Sequence, residues 1–155
     1  METTLVIFKP SAVARGLVGK VLSRFEQKGL AIVGMKMMKL DETILREHYS
    51  HLVDKPFFPS ILSSMTATPV IVAALKGVDA IKVVRLLTGA TNGREALPGT
   101  IRGDFSMSNQ ENIIHASSSA EDAAAELNRF FKEGEILDYT PDNVSFINAR
   151  NELSI

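Results

Sequence analysis

The chain contains no cysteine and no tryptophan, and aromatic residues make up only 6% of it. Without cysteine there is no disulfide and no thiolate metal site, and a reducing compartment fits. An excess of charge of one sign is also lacking: 17 Lys and Arg stand against 18 Asp and Glu, a net −1. A nucleic-acid backbone or an anionic membrane surface would favour a basic excess that is not there. No apolar run approaches the roughly 20 residues of a membrane helix; the longest is Val70–Leu75. The N-terminal METTLVIFKPS has no basic segment ahead of its apolar run and does not read as a signal peptide. Neither G-x-x-x-x-G-K-[ST] nor G-x-G-x-x-G occurs, so any phosphate site is built without a P-loop or a Rossmann turn.

What remains is a cytoplasmic protein of 155 residues, 45% hydrophobic and 23% charged. That size and balance suit one globular domain. Leu5–Phe8 reads as a buried strand ending at Pro10. Leu17, Val18, Val21, Leu22 and Phe25 follow helical spacing, with Gly29 as the stop. Leu30–Leu40 reads as a second strand, with Met35, Met37 and Met38 as core filler. Asp41 caps a helix running to about Leu52, and a short helix follows Pro59. Pro69–Leu75 is a third strand and Val78–Leu87 a helix. Residues 88–106 are rich in glycine and lack periodicity, which predicts a long functional loop. Asn112–His115 is a fourth strand. Ala120, Ala123, Ala124, Leu127, Phe130 and Phe131 mark a last amphipathic helix, with Ser118 and Glu121 as its capping box. Beneath the additions lies βαββαβ, an α+β ferredoxin-like fold: a four-stranded antiparallel sheet with helices on one face. Residues 1–140 form the domain, and residues 141–155 its C-terminal tail.

Three histidines offer chemistry. His48 and His51 lie three apart on a helix and lack an evident third metal ligand, so both read as exposed or packing residues. His115 ends the strand NIIH just before a helix N-terminus, where unpaired N–H groups favour an anion and a neutral ring. Local chemistry leaves two readings of it open: a nucleophile, or a strand-end histidine bonded to backbone. Glu126 sits on the apolar stripe of the last helix with Ala123 and Phe130. Such a carboxylate needs a partner. It either orients His115, freeing the other ring nitrogen to attack, or reaches out to solvent. Thr91, Arg94, Thr100 and Arg102 lie among Gly89, Gly93, Gly99 and Gly103, with Arg85 before them and Lys9 after strand one. Guanidinium groups and glycine backbone suit phosphate oxygens.

These residues carry a specific resemblance. From TLVIFKP to EILDYT the chain resembles the nucleoside diphosphate kinases, through IFKPSAVARGLVG, RFEQKGLAIVGMKM, EHYSHLVDKPFF, TPVIVAALKG, VVRLLTGATN, PGTIRGDF and NIIHASSS in order. The resemblance implies a ping-pong exchange of a γ-phosphoryl group between nucleoside triphosphates and diphosphates through a phosphohistidine at His115. It makes Glu126 the orienting carboxylate and Lys9, Tyr49, Arg85, Thr91 and Arg102 phosphate-site residues. Asn112 and Lys9 would reach the sugar, and Phe57 would stack on the base. Ser117 matches a serine near the Glu126 carboxylate. Mg²⁺ would be held mainly by the nucleotide, with no dedicated protein ligands. The resemblance also implies a homo-oligomer, a hexamer ahead of a tetramer or dimer, with no obligate nucleic acid and no membrane. Ala116, Ser118, Gly93 and the KPS segment depart from the family pattern, which predicts changes in helix capping and a looser loop at Gly93. Competing readings are a nucleotide-binding module without turnover and a ferredoxin-like nucleic-acid binder.

Overall fold

The structure is a computed structural model that describes residues 1–153; the last two residues of the expected tail lie outside the described residues. Strands β1 (Glu2–Phe8), β2 (Ala31–Met38), β3 (Val70–Gly77) and β4 (Ile114–Ala116) form one sheet in the order β2-β3-β1-β4. Every neighbouring pair is antiparallel. With α2 (Val18–Lys28) and α5 (Ala80–Thr88) as crossovers, this is the expected ferredoxin-like arrangement.

Leu5, Val6, Ile7 and Phe8 are all fully buried, as a continuous apolar run in an inner strand predicts. Alternation sorts them. Val6 and Phe8 join Ala73 and Leu75 on one face, under Val21 and Phe25 of α2 and Val84 of α5. Leu5 and Ile7 join Val70, Val72 and Ala74 on the other. The two crossover helices share one face, as expected. The second face is not bare, because α3 (Glu42–His48), α4 (Phe58–Met65) and α7 (Ala120–Phe130) cover it through Leu45, Met65 and Phe130. A strand apolar on both sides requires that second layer.

Local signals place several ends. The Asp41 carboxylate accepts the Ile44 N–H at 2.9 Å and starts α3. Gly29, at φ 103°, ends α2. Elsewhere the structure corrects the reading. Pro10 opens a short helix, α1 (Pro10–Ala14). The expected loop 88–106 holds another, α6 (Ile101–Phe105), whose cap Thr100 accepts the Gly103 N–H at 3.0 Å. That segment is tied down by Arg24–Asp104 at 2.6 Å and by Arg94 donating to the Met107 carbonyl at 3.1 Å. Gly93 is closely packed within it: a Cβ there would collide with Ser106. Helix α7 is capped by Ser119, which accepts the Asp122 N–H at 3.1 Å, one residue later than the Ser118 box predicts. In the tail, α8 (Val144–Ile147) lays Ile147 against Gly29.

Candidate functional site

Register decides where His115 points. β4 pairs with β1 so that His115 lies opposite Ile7, while Ile114 and Ala116 lie opposite Phe8 and Val6. Directly opposed residues share a face. His115 therefore faces the layer of α3 and α7, whereas Ile114 and Ala116 enter the core under α2 and α5. Helix α7 turns Ala123, Glu126 and Phe130 inward, and Glu126 meets His115 through Oε2 and Nε2. An ionised carboxylate only accepts, so the bond assigns the proton to Nε2 and leaves the lone pair on Nδ1.

Behind this pair stands His48, at the end of α3. Its ring packs edge-on against Tyr49, His115 and Phe130, with centroids 4.6, 4.7 and 5.1 Å away. Burial, then the neighbouring His115 and Arg129, lowers its pKa to about 2. Its Nδ1 accepts from Arg129 Nη1 at 3.0 Å, so it is neutral with the proton on Nε2. The 3.6 Å approach of Nδ1 to Glu126 Oε2 is then two acceptors side by side rather than an ion pair. Arg129 Nε lies 3.2 Å from Glu47 but is not aligned for a hydrogen bond.

A second cluster lies next to it. Lys9 follows β1 directly and donates from Nζ to Asn112 Oδ1 at 2.7 Å. Asn112 Nδ2 donates to the Thr91 carbonyl at 2.9 Å. Burial and the Arg102 charge bring the Lys9 pKa down to about 8, against a small opposing pull from Glu111. Arg102, buried on α6, donates from Nε to the Asn112 carbonyl at 3.2 Å, from Nη1 to Gly89 at 2.9 Å and from Nη2 to Ile114 at 2.6 Å. Burial and then Arg85 lower its pKa to about 10. Three of the five guanidinium N–H groups are committed, which leaves two uncommitted.

Lys9, Tyr49, Phe57, Thr91 and Asn112 line one cleft of about 230 Å³. His115, His48, Glu126 and Arg129 border another of about 500 Å³, and Tyr49 lines both. Burial, then the Glu126 charge, pushes the Tyr49 hydroxyl up to about 12. Phe57 is half exposed at the rim of the first cleft. The structure thus joins Lys9, Tyr49, Phe57, Thr91 and Asn112 around one opening, with Arg102 buried behind it on the Asn112 carbonyl, and places the His115–Glu126 pair in the neighbouring cleft that shares Tyr49. Arg85 sits further out, with Nη1 3.5 Å from the Ala116 carbonyl. Ser117 is not bonded to Glu126. Its N–H and hydroxyl both go to the Leu5 carbonyl, at 3.2 and 3.4 Å, because it continues the β4 pairing.

His48 and Arg129 are the functional neighbours that sequence reasoning missed. His48 does pack, as one of the expected roles had it, but against His115 itself. The signal for Arg129 was present: it lies three residues after Glu126 on one helix, within side-chain reach.

The arrangement has relatives. A model of the family described as Nucleoside diphosphate kinase matches residues 2–136. A Nucleoside diphosphate kinase of Parabacteroides distasonis is 59% identical over 98% of this chain and 99% of its own length. One from Rhodopirellula baltica is 47% identical over 98% of this chain and all of its own. Among solved structures, a halophilic nucleoside diphosphate kinase from Halobacterium salinarum in complex with CDP superposes with a TM-score of 0.91, at 41% identity, over 95% of this chain and 98% of that one. Likeness of this extent in both sequence and backbone leaves one assignment: the chain belongs to the nucleoside diphosphate kinase family.

Proposed function

We propose that the chain is a nucleoside diphosphate kinase that moves a γ-phosphoryl group between nucleotides on His115. The observation that carries this reading is the His115–Glu126 bond, which holds the proton on Nε2 and leaves Nδ1 with a free lone pair. Nδ1 attacks the γ-phosphorus of a nucleoside triphosphate. The bond from that phosphorus to the bridging oxygen breaks, its electron pair leaves with the diphosphate, and a second diphosphate reverses the step. Glu126 offsets the positive charge that develops on the ring. Arg102 with its two uncommitted N–H groups, Lys9, Arg85, Thr91 and Tyr49 face the phosphates, since this chemistry is mostly positioning and charge stabilisation. Lys9 and Asn112 take the sugar hydroxyls. Phe57 stacks on the base, and a π face common to all bases gives broad tolerance. Ser117 supports the end of β4 through the Leu5 carbonyl.

The cleft lining from Lys9 to Asn112 contains no carboxylate. A hard cation that prefers oxygen ligands therefore fits here only when carried on the phosphates, as the family's Mg²⁺ would be. Bound in that way, Mg²⁺ neutralises phosphate charge. No helix among the described residues is long and apolar enough to cross a membrane, and a cytoplasmic location completes the reading. Residues 1–140 make up the catalytic domain and 141–155 its tail. Met35 and Met37, read from the sequence as core filler, are instead exposed on the edge strand β2, which supports assembly into a homo-oligomer, a hexamer first.

Incubation with γ-labelled ATP and Mg²⁺ is expected to give an acid-labile, base-stable label on His115 that passes to added GDP. His115→Ala should take up no label and exchange none. Full exchange by that variant would overturn the assignment. Nucleotide binding without turnover by the unaltered chain would favour a binding module.

A further inference from the structure

We propose that His48, His115 and Glu126 form a binding site for a borderline-soft divalent metal ion, Zn²⁺ above all, and that occupation of this site switches off the nucleophile. One ligand atom from each of His48, His115 and Glu126 lies within 4.8 Å of the other two, and Glu126 Oε2 is the oxygen nearest both His48 Nδ1 and His115 Nε2. His48 Nδ1 and Glu126 Oε2, which share no hydrogen bond with each other, are 3.6 Å apart. Bonds of about 2.0–2.2 Å in a tetrahedral site put ligand atoms about 3.3–3.6 Å apart, so this pair already has the spacing, while His115 and Glu126, in hydrogen-bond contact, part to admit the ion.

The three ligands come from three different elements. β4 holds His115 by its register against β1. Helix α7 holds Glu126 between Ala123 and Phe130. The His48 ring is wedged among Tyr49, His115 and Phe130. Two imidazoles and one carboxylate suit Zn²⁺ and its transition-metal neighbours, and they suit Mg²⁺ poorly. The cleft of about 500 Å³ that reaches all three residues gives an entry path, and Glu47 and Asp122 on its wall favour a cation. Three protein ligands leave a fourth position for water.

Two bonds yield to the metal. His48 Nδ1 gives up its bond from Arg129, and Glu47, 3.2 Å from Arg129 Nε, keeps the guanidinium paired. His115 exchanges its Nε2 proton for the metal and takes one proton at Nδ1. The ring stays neutral and no net proton is released. The lone pair needed on Nδ1 is then gone. This inhibitory consequence rests on the reading of His115 as carrier; the metal site itself does not.

Co²⁺ serves as the spectroscopic probe. Titration of the full chain is expected to give the intense visible absorption of a tetrahedral site, saturating at one equivalent and persisting in excess Mg²⁺. His51→Ala should bind as the parent does. His48→Phe fills the same packing space without a ligand atom, and circular dichroism reports whether it folds. It should bind at least tenfold more weakly. Glu126→Gln, read the same way, guards against a folding defect in the first variant. In the exchange assay at fixed excess Mg²⁺–nucleotide, Zn²⁺ should inhibit the parent and His51→Ala alike, and a zinc-selective chelator should restore both. Absence of the tetrahedral band in the parent, or its persistence in both folded variants, would overturn the site. Stoichiometric Co²⁺ and Zn²⁺ binding without inhibition would uphold the site and overturn the carrier role of His115.

Discussion

Nucleotide binding should draw a proton onto Lys9, and the amount can be worked out from the fold. Burial and Arg102 hold the free lysine down to about 8. Around pH 8.5 it is then protonated in only about a quarter of free molecules. A bound diphosphate replaces lost solvation with opposite charge and returns the group toward its ordinary value near 10.4, where it is almost fully protonated. The difference is an uptake of about 0.75 proton per diphosphate bound near pH 8.5, falling toward zero near pH 6.5. Affinity follows the same linkage: between pH 8 and pH 10, each added pH unit should weaken binding by about five- to sevenfold. The neighbouring Tyr49 and Arg102 do not supply this signal. Tyr49 is pushed up to about 12 and Arg102 is lowered only to about 10. Calorimetry of ADP binding in two buffers of different ionisation enthalpy measures the proton directly. Lys9→Met should abolish both the uptake and the pH slope. Uptake below about 0.2 proton near pH 8.5, or the same slope in Lys9→Met, would refute the reasoning. The sign for stability is separate. The folded pKa lies below the unfolded one, so the unfolded chain binds more protons between about pH 8 and pH 10.5, and this group's contribution to stability rises with pH across that window.

Phe57→Ala removes the stacking surface at the rim, and base stacking is worth about 1–3 kcal/mol. The dissociation constants of ADP, GDP and CDP, measured by calorimetry, should rise together by roughly tenfold or more. Arg102→Met strips three carbonyls of a charged donor, and bonds to charged groups are worth about 1.5–3 kcal/mol each before relaxation. Urea unfolding should show a loss of about 3 kcal/mol or more, with the 88–106 segment becoming protease-sensitive first.

What was legible in the sequence was local. Asp41 announces α3 because its carboxylate reaches an N–H three residues on. Gly29 announces the end of α2 because it alone tolerates φ 103° there. The run Leu5–Phe8 announces an inner strand. Helix α6 was missed because it is five residues long and contains Gly103, too short for periodicity to register. Ser118 and Ser119 compete for one cap, and spacing alone favoured the wrong one. At the site, Glu126 was legible because a carboxylate on an apolar stripe is costly without a partner. His48 was not, because its partners His115 and Phe130 belong to β4 and α7, which only the closed sheet brings to α3. The bond of Ser117 to Leu5 was not legible for the same reason: it is a product of strand pairing.

One residue explains how the two clusters come to share a site. Ile113 has φ 74°, a left-handed value that a β-branched side chain resists. The Ile114 N–H donates back to the Asn112 carbonyl at 2.8 Å, closing a tight turn just before β4. In a regular strand Asn112 would share a face with Ile114, under α2 and α5, away from His115. The turn redirects it, so Asn112 meets Lys9 beside the α3 and α4 layer while His115 meets Glu126 on that same side. Such a conformation costs on the order of 1–3 kcal/mol and persists only when its surroundings determine it. They do so here: Arg102 grips the carbonyls on both sides, at Asn112 and Ile114. Ser11 Oγ accepts the Ile113 N–H at 3.1 Å, and the Lys9 N–H holds the Ile113 carbonyl at 2.9 Å. The buried arginine that looks from sequence like a phosphate ligand is thus also the clamp that sets the Lys9–Asn112 pair beside the His115–Glu126 pair, and that work commits three of its five N–H groups.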